Sequence, residues 1–252
     1  MTLVDLVIVL CVLLVAGAGV HLVQVYWPHA DRQEHNDVAG FIFAAVGVLY
    51  AVLLAFVVIV VWENLNAARD TTYSEANQLA DIYWISRSLP VAEGATIEGL
   101  TLKYAHTVIT QEWPLMAERR SSIQATDIVY LIRDDVFGFQ PRSPQQQALY
   151  AEALTSVNGF SSARRNRLDA IGEVIPALLW AALIIGAVMT VGFCLLFGLQ
   201  NKTAHIGMVA MLAVLITISL LLIRDMEYPF AGSIRIGPAA FEVFLSHLPP
   251  PR

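Results

Sequence analysis

Apolar residues fall in four long runs along this chain, at residues 6–26, 40–62, 174–199 and 206–223. A bilayer core takes about 20 apolar residues per spanning helix, so each run has the length of a transmembrane helix. The runs at 40–62 and 174–199 contain no charged residue, and the first is broken only late, by His21 and Gln24. They form two pairs separated by a more polar middle segment. The pattern predicts an all-α membrane protein, with four transmembrane helices in two pairs and a central helical cytoplasmic domain. Residues 1–62 then hold transmembrane helices 1 and 2, 63–173 the cytoplasmic helical domain, 174–223 transmembrane helices 3 and 4, and 224–252 a cytoplasmic C-terminal tail.

The second run does not end sharply. From Glu63 to Ser88 there is neither Gly nor Pro, and Leu65, Ala68, Thr72, Leu79, Ile82 and Leu89 recur at steps of three, four and seven. That spacing lays an apolar stripe along one helix face. Pro90 supplies the stop, because the residue before proline avoids helical geometry. One long helix is expected, crossing the membrane and projecting beyond it. Ile97, Leu100, Tyr104 and Val108 mark a second amphipathic helix stopped at Trp113 and Pro114, and a shorter one is expected over residues 121–136. Ser143 and Pro144 read as N-cap and first helical residue. They open a helix to about Glu173, with Asn158 and Gly159 as a candidate interruption. Pro176 marks a candidate kink at the entry to the third run. Nothing alternates with period two for long enough to predict a strand.

Charged residues make up 14% of the chain and apolar ones 57%, against about 25% and about 45–50% in soluble domains. The net charge of −6 and the absence of a basic block exclude a nucleic-acid surface. Cys11 and Cys194 both lie inside apolar runs, so no disulfide framework is expected. Ala16, Gly17 and Ala18 have the small-x-small form of a signal cleavage site, but the segment opens on Asp5 and stays apolar to Tyr26, which favours a retained helix. Arg69, Arg87, Lys103, Arg119, Arg120, Arg133, Arg142, Arg164, Arg165 and Arg167 all fall in the middle segment, while the loops within the two pairs offer only Arg32 and Lys202. By the positive-inside rule the middle segment and both termini are cytoplasmic, in a multi-pass protein of the inner (plasma) membrane.

The candidate functional residues cluster on the second run. Gly40, Ala44, Gly47, Ala51 and Ala55 step by four, three, four and four, a seam that lets helices approach closely in lipid. Beside it, Phe43, Gly47, Tyr50, Leu54 and Val57 form a bulkier face. Facing lipid it has no role; ringed around an oligomer axis it makes a neck that gates by dewetting. Asp37 at one end of the run, and Glu63 and Asn64 at the other, are candidate pore-mouth residues, with ordinary interfacial roles as the alternative. The loop holding His29, Asp31, Glu34, His35 and Asp37 has metal-ligand residue types without metal-ligand spacing, so no metal is expected. Asp225 and Glu227 are too few to hold a divalent cation. No nucleophile motif, phosphate-binding loop or mid-membrane carboxylate appears, which argues against an enzyme and against a proton-coupled carrier.

Several stretches carry a family resemblance: HNDVAGFIFAAVGVLYAVLLAFVVIVVWE, EWPLM at 112–116, PALLW at 176–180, and PFAG followed by IGPAAF at 229–241. Over residues 36–241 the chain resembles the bestrophin-like family of prokaryotic and plant membrane proteins, which is distantly similar to bestrophins. The resemblance implies a pentameric ion channel whose second span lines the pore and forms an apolar neck. It implies no cofactor, with the lipid bilayer, inorganic ions and further copies of the chain as partners. Gly47, Val48, Leu49 and Tyr50 are only a loose counterpart of the bestrophin neck motif. The calcium-binding acidic cluster of animal bestrophins has no equivalent, so calcium gating does not carry over. The alternative function is a non-conducting membrane scaffold or sensor whose cytoplasmic helices bind a partner.

Overall fold

The computed structural model describes residues 2–172 and 174–249, and contains no strand among them. Its helices are α1 (Leu3–Tyr26), α2 (His29–Gln33), α3 (Asn36–Ser86), α4 (Val91–Thr107), a π-helical segment (Val108–Glu112), α5 (Trp113–Ala117), α6 (Ile123–Gly138), α7 (Pro144–Asp169), α8 (Ala177–Leu195), α9 (Lys202–Glu227) and α10 (Ala239–Ser246). They form two compact units, one of Met1–Glu63 and Val174–Glu227, the other of Asn64–Glu173 and Tyr228–Arg252. Helix α3 runs unbroken through the boundary.

In the first unit, α1, α3, α8 and α9 are long and apolar enough to cross a membrane. Helix α1 starts on a capping box: the Thr2 hydroxyl accepts from Asp5 N at 3.3 Å, and Thr2 N donates to Asp5 Oδ2 at 2.6 Å. Asp5 is buried there and also accepts from Arg224 Nη2 of α9 at 2.5 Å. At the other end of α1, Gln24 meets His205 of α9 at 3.4 Å. These two links make the helices antiparallel, and Ala16 and Val20 pack on Val209 and Ala213 between them.

Helix α8 has no basic residue in its last turn, and the last four carbonyls of any helix lack intrahelical partners. Other elements supply them. Arg32 Nη1 donates to Leu195 O and Phe197 O, both at 2.9 Å. His205 Nε2 lies 3.0 Å from Cys194 O. The Asn36 amide clasps Gly198, accepting from its N–H at 2.9 Å and donating to its carbonyl at 3.0 Å.

The second unit packs the remainder of α3 with α4 to α7 and α10 around Leu79, Ile82, Ile97, Tyr104, Ile132 and Phe160, all almost fully buried. Three local expectations are corrected. Pro114 does not stop its helix: the chain continues into α5 through the π-helical turn, whose extra residue makes room for the ring and its missing N–H. Asn158 and Gly159 do not interrupt α7, where a Cβ at Gly159 would sit 2.7 Å from Gln78 Oε1. Gly159 leaves room there for the Gln78 side chain of α3. Finally, α7 ends at Asp169 and α8 begins afresh with Pro176 as its N-cap, so no helix is kinked by that proline. The expected helix end at Glu173 lies outside the described residues. In the segment after Tyr228, Phe230, Phe241 and Phe244 are buried in the second unit.

Candidate functional site

Helix α3 presents two opposite faces in the first unit, and the bulky one turns inward. Phe43 packs on Phe193 of α8 and, edge-on, on Phe197 just beyond its end, with ring centroids 5.9 and 5.7 Å away. Tyr50 is 8% exposed and lies against Gly186, with Ala187, Ile216 and Leu54 around it. Val57 is buried and Gly47 half-buried. Four of the five residues nominated for a neck are thus large side chains spent on packing within their own chain, because α8 offers a glycine and aromatic rings to receive them. On the opposite side of α3, Phe41, Val48, Val52, Phe56 and Ile59 are exposed. Asp37 and Glu63 are exposed at the two ends of that ridge. Asn64 is half-buried, and its Nδ2 has no hydrogen-bond partner.

The small-residue seam runs along the flank of this ridge. Ala44, Ala51 and Ala55 are exposed, while Gly40 and Gly47 are half-buried. A flank of small residues left open is what a neighbouring helix needs for close approach in lipid.

The second unit contains a buried ionic cluster that the sequence pattern did not single out. Arg167 of α7 donates from Nε to Glu75 Oε2 of α3 at 2.6 Å and from Nη2 to Glu75 Oε1 at 3.0 Å. The same Nη2 reaches Glu112 Oε2 at 3.0 Å, and Nη1 reaches Met116 Sδ at 2.7 Å. Arg164 grips Glu112 through two bonds of 2.5 and 2.7 Å, and donates to Tyr104 Oη at 2.7 Å. Tyr104 in turn donates to Glu75. Two arginines face two glutamates, so the cluster balances its charge out of water. Burial, then the Glu75 charge, pushes the Tyr104 phenol far above its usual range, so it remains a donor. Burial works against the Arg167 charge, but Glu75 holds that guanidinium above its ordinary value.

Aromatic rings close the cluster. Arg167 lies 5.1 Å from the Trp113 ring centre, and Trp113 donates from Nε1 to Ile236 O at 3.0 Å while packing edge-on to Phe230 and Phe241. The EWPLM, PFAG and IGPAAF stretches therefore meet in one place. PALLW has a separate use in the first unit, where Trp180 Nε1 donates to the buried Glu227 at 3.1 Å. The histidines and carboxylates of the α2 region stay on the surface. Among the described residues no three His, Cys, Asp or Glu side chains come together to hold a metal ion.

An all-helical chain with four membrane-length apolar helices and a second helical unit defines a class of membrane protein. Within it, the Bestrophin-like domain model matches residues 10–241, and the chain belongs to the bestrophin-like family. The fold is similar to that of a single-substitution variant of a bacterial bestrophin homologue from Klebsiella pneumoniae, at a TM-score of 0.71, 12% identity, and coverage of 94% of this chain and 96% of that one. A second variant of the same homologue gives a TM-score of 0.68 at 14% identity, over 97% and 96% of the two chains. A structure described as a membrane protein variant gives 0.70 at 12% identity, over 94% and 95%. No curated protein matches the chain in sequence.

Proposed function

We propose that the protein is a homo-oligomeric, passive ion channel whose pore is lined by α3. The observation that carries this reading is the exposed ridge of α3. Val48, Val52 and Phe56 are 63%, 48% and 65% exposed at steps of four residues, with a carboxylate at each end of the same face, Asp37 and Glu63. Large apolar side chains ringed around an axis form a constriction that sheds water, and acidic rings at its ends draw cations. The open flank of Gly40, Ala44, Gly47, Ala51 and Ala55 suits the contact between neighbouring copies. Five copies, with both termini and the second unit on the cytoplasmic side of the plasma membrane, are the assembly that the family resemblance and the arginine distribution favour. Gating then lies in the hydrophobic ridge, with Tyr50, Leu54 and Val57 bracing α3 from behind.

Planar-bilayer recording of the purified full-length oligomer tests this. Val52→Ser and Phe56→Ser should raise unitary conductance or open probability by wetting the neck, whereas Tyr50→Ala should not. Currents unchanged by both ridge variants would remove this face from the pore. An intact oligomer silent in every salt would move the non-conducting scaffold or sensor ahead. That reading draws on the exposed Ile123, Tyr130, Leu131 and Phe137 of α6, apolar positions open to a partner.

A further inference from the structure

Between α1 and α8, floored by α9, the first unit contains an open groove of about 470 Å³. Its walls include Val12, Ala16 and Gly19 of α1, Val191 and Gly192 of α8, and Ile216 of α9. Small residues make the space. A Cβ at Gly192 would meet nothing within 4 Å, and one at Gly19 would touch only the Leu195 side chain. The groove offers an occupant almost no hydrogen bonding. Of its polar side chains, Thr217 already donates to Ala213 O at 2.7 Å, leaving only the weak thiol of Cys11. Water entering it would give up hydrogen bonds without replacement. Left empty, its walls would forfeit their dispersion contacts. A hydrocarbon chain meets both conditions.

We propose that this groove is a binding site for one acyl chain of a membrane lipid, held between α1 and α8. Its rims distinguish lipid from a second copy of the protein. Val15, Ile184 and Val188 stand exposed along the edges. Such large aliphatic side chains keep a neighbouring helix at a distance, whereas the close-packing surface of small residues lies on α3. A flexible chain slips past those rims, between the glycines of the two walls, to the floor of Ala213 and Ile216. The site holds whether or not the protein conducts.

The test uses the full-length protein in nanodiscs containing phosphatidylethanolamine with a diazirine midway along one acyl chain. Irradiation should place adducts on Val12, Gly192 and Ile216, and excess unlabelled phosphatidylethanolamine should compete them away. Gly192→Leu, whose side chain enters open space, and Val188→Trp, which covers the groove from its rim, should each abolish those adducts. Labelling of Met211 and Leu215, exposed elsewhere on α9, should be unchanged. Adducts that follow exposure alone, equally heavy on Met211 and indifferent to both variants, would reduce the site to ordinary bulk lipid and overturn the proposal. So would efficient bismaleimide crosslinking through Cys11 between copies, with no lipid adduct in the groove.

Discussion

Arg167 and Glu75, 92 residues apart in the chain, meet through hydrogen bonds of 2.6 and 3.0 Å with neither side chain exposed. A charge buried this completely is tolerated only because its partner is present. Removing one member of such a pair costs about 3–5 kcal/mol, while replacing both by apolar groups is often close to neutral. Arg167→Met should therefore lower the melting temperature sharply, because it strands Glu75. The double variant Glu75→Met/Arg167→Met should be less damaging than Arg167→Met alone, since Arg164 and Glu112 remain paired. Thermal unfolding of the four proteins, followed by near-ultraviolet circular dichroism, measures the coupling. A double variant at least as unstable as the sum of the singles would contradict it.

Acid should loosen the same cluster. Burial alone would raise the Glu112 carboxyl, but the Arg164 hydrogen bonds and the Arg167 charge outweigh it and hold it below the usual carboxylate range. A depressed folded value stabilises the fold fully above the unfolded value of about 4.3. That contribution fades as pH falls through the folded value, where protons bind the unfolded state more readily. The melting temperature should hold near neutrality and drop below about pH 4. Glu112→Gln should melt lower at neutral pH and respond less to acid. Equal acid sensitivity in the two proteins would separate Glu112 from the transition.

The helices were legible because hydropathy and spacing record them directly: four apolar runs, the stripe from Leu65 to Leu89, and the Ser143 cap. The ionic cluster was not. Glu75, Glu112, Arg164 and Arg167 look in sequence like ordinary charges on amphipathic helices, and partners 52 and 92 residues apart leave no local signature. The EWPLM stretch marked the place without revealing its chemistry. The faces of α3 were hidden for a different reason. A helix in lipid is apolar all round, so no polar face identifies the side that packs inward. Only Gly186 and the rings of Phe193 and Phe197, residues of α8 and the turn after it, decide that Phe43 and Tyr50 turn toward α8.

Tyr50 and Gly186 should behave as one unit. A Cβ added at Gly186 would lie 2.5 and 2.8 Å from two atoms of the Tyr50 ring. Gly186→Ala should cost about 1–3 kcal/mol, the usual range for overpacking, and Tyr50→Leu in the same chain should recover much of it. Tyr50 Oη is buried without a hydrogen-bond partner, so Tyr50→Phe should match or slightly exceed the wild type in stability. A large loss on Tyr50→Phe would mean that the hydroxyl has a partner in the assembled protein. Melting temperatures of the detergent-purified variants decide between the two.

Gly198 offers the most local test of how α8 is ended. A Cβ there would meet Gln33 N at 2.5 Å and His29 O at 2.6 Å, backbone atoms that have nowhere to go. Gly198→Ala should push α2 away from the turn after α8, and with it Arg32, which is 1% exposed and caps Leu195 O and Phe197 O. Hydrogen exchange should then speed up in two places together, α2 and the turn following α8. Gly207→Ala in α9 is the matched control: its Cβ would meet nothing within 4 Å, and alanine in a helix interior gains about 0.5–1 kcal/mol over glycine. Arg32→Ala should reproduce the faster exchange at the α8 end, since its guanidinium holds both carbonyls. If Gly198→Ala instead left α2 protected, the contact would be slack enough to absorb a methyl group, and Arg32 would be holding α8 without help from the glycine.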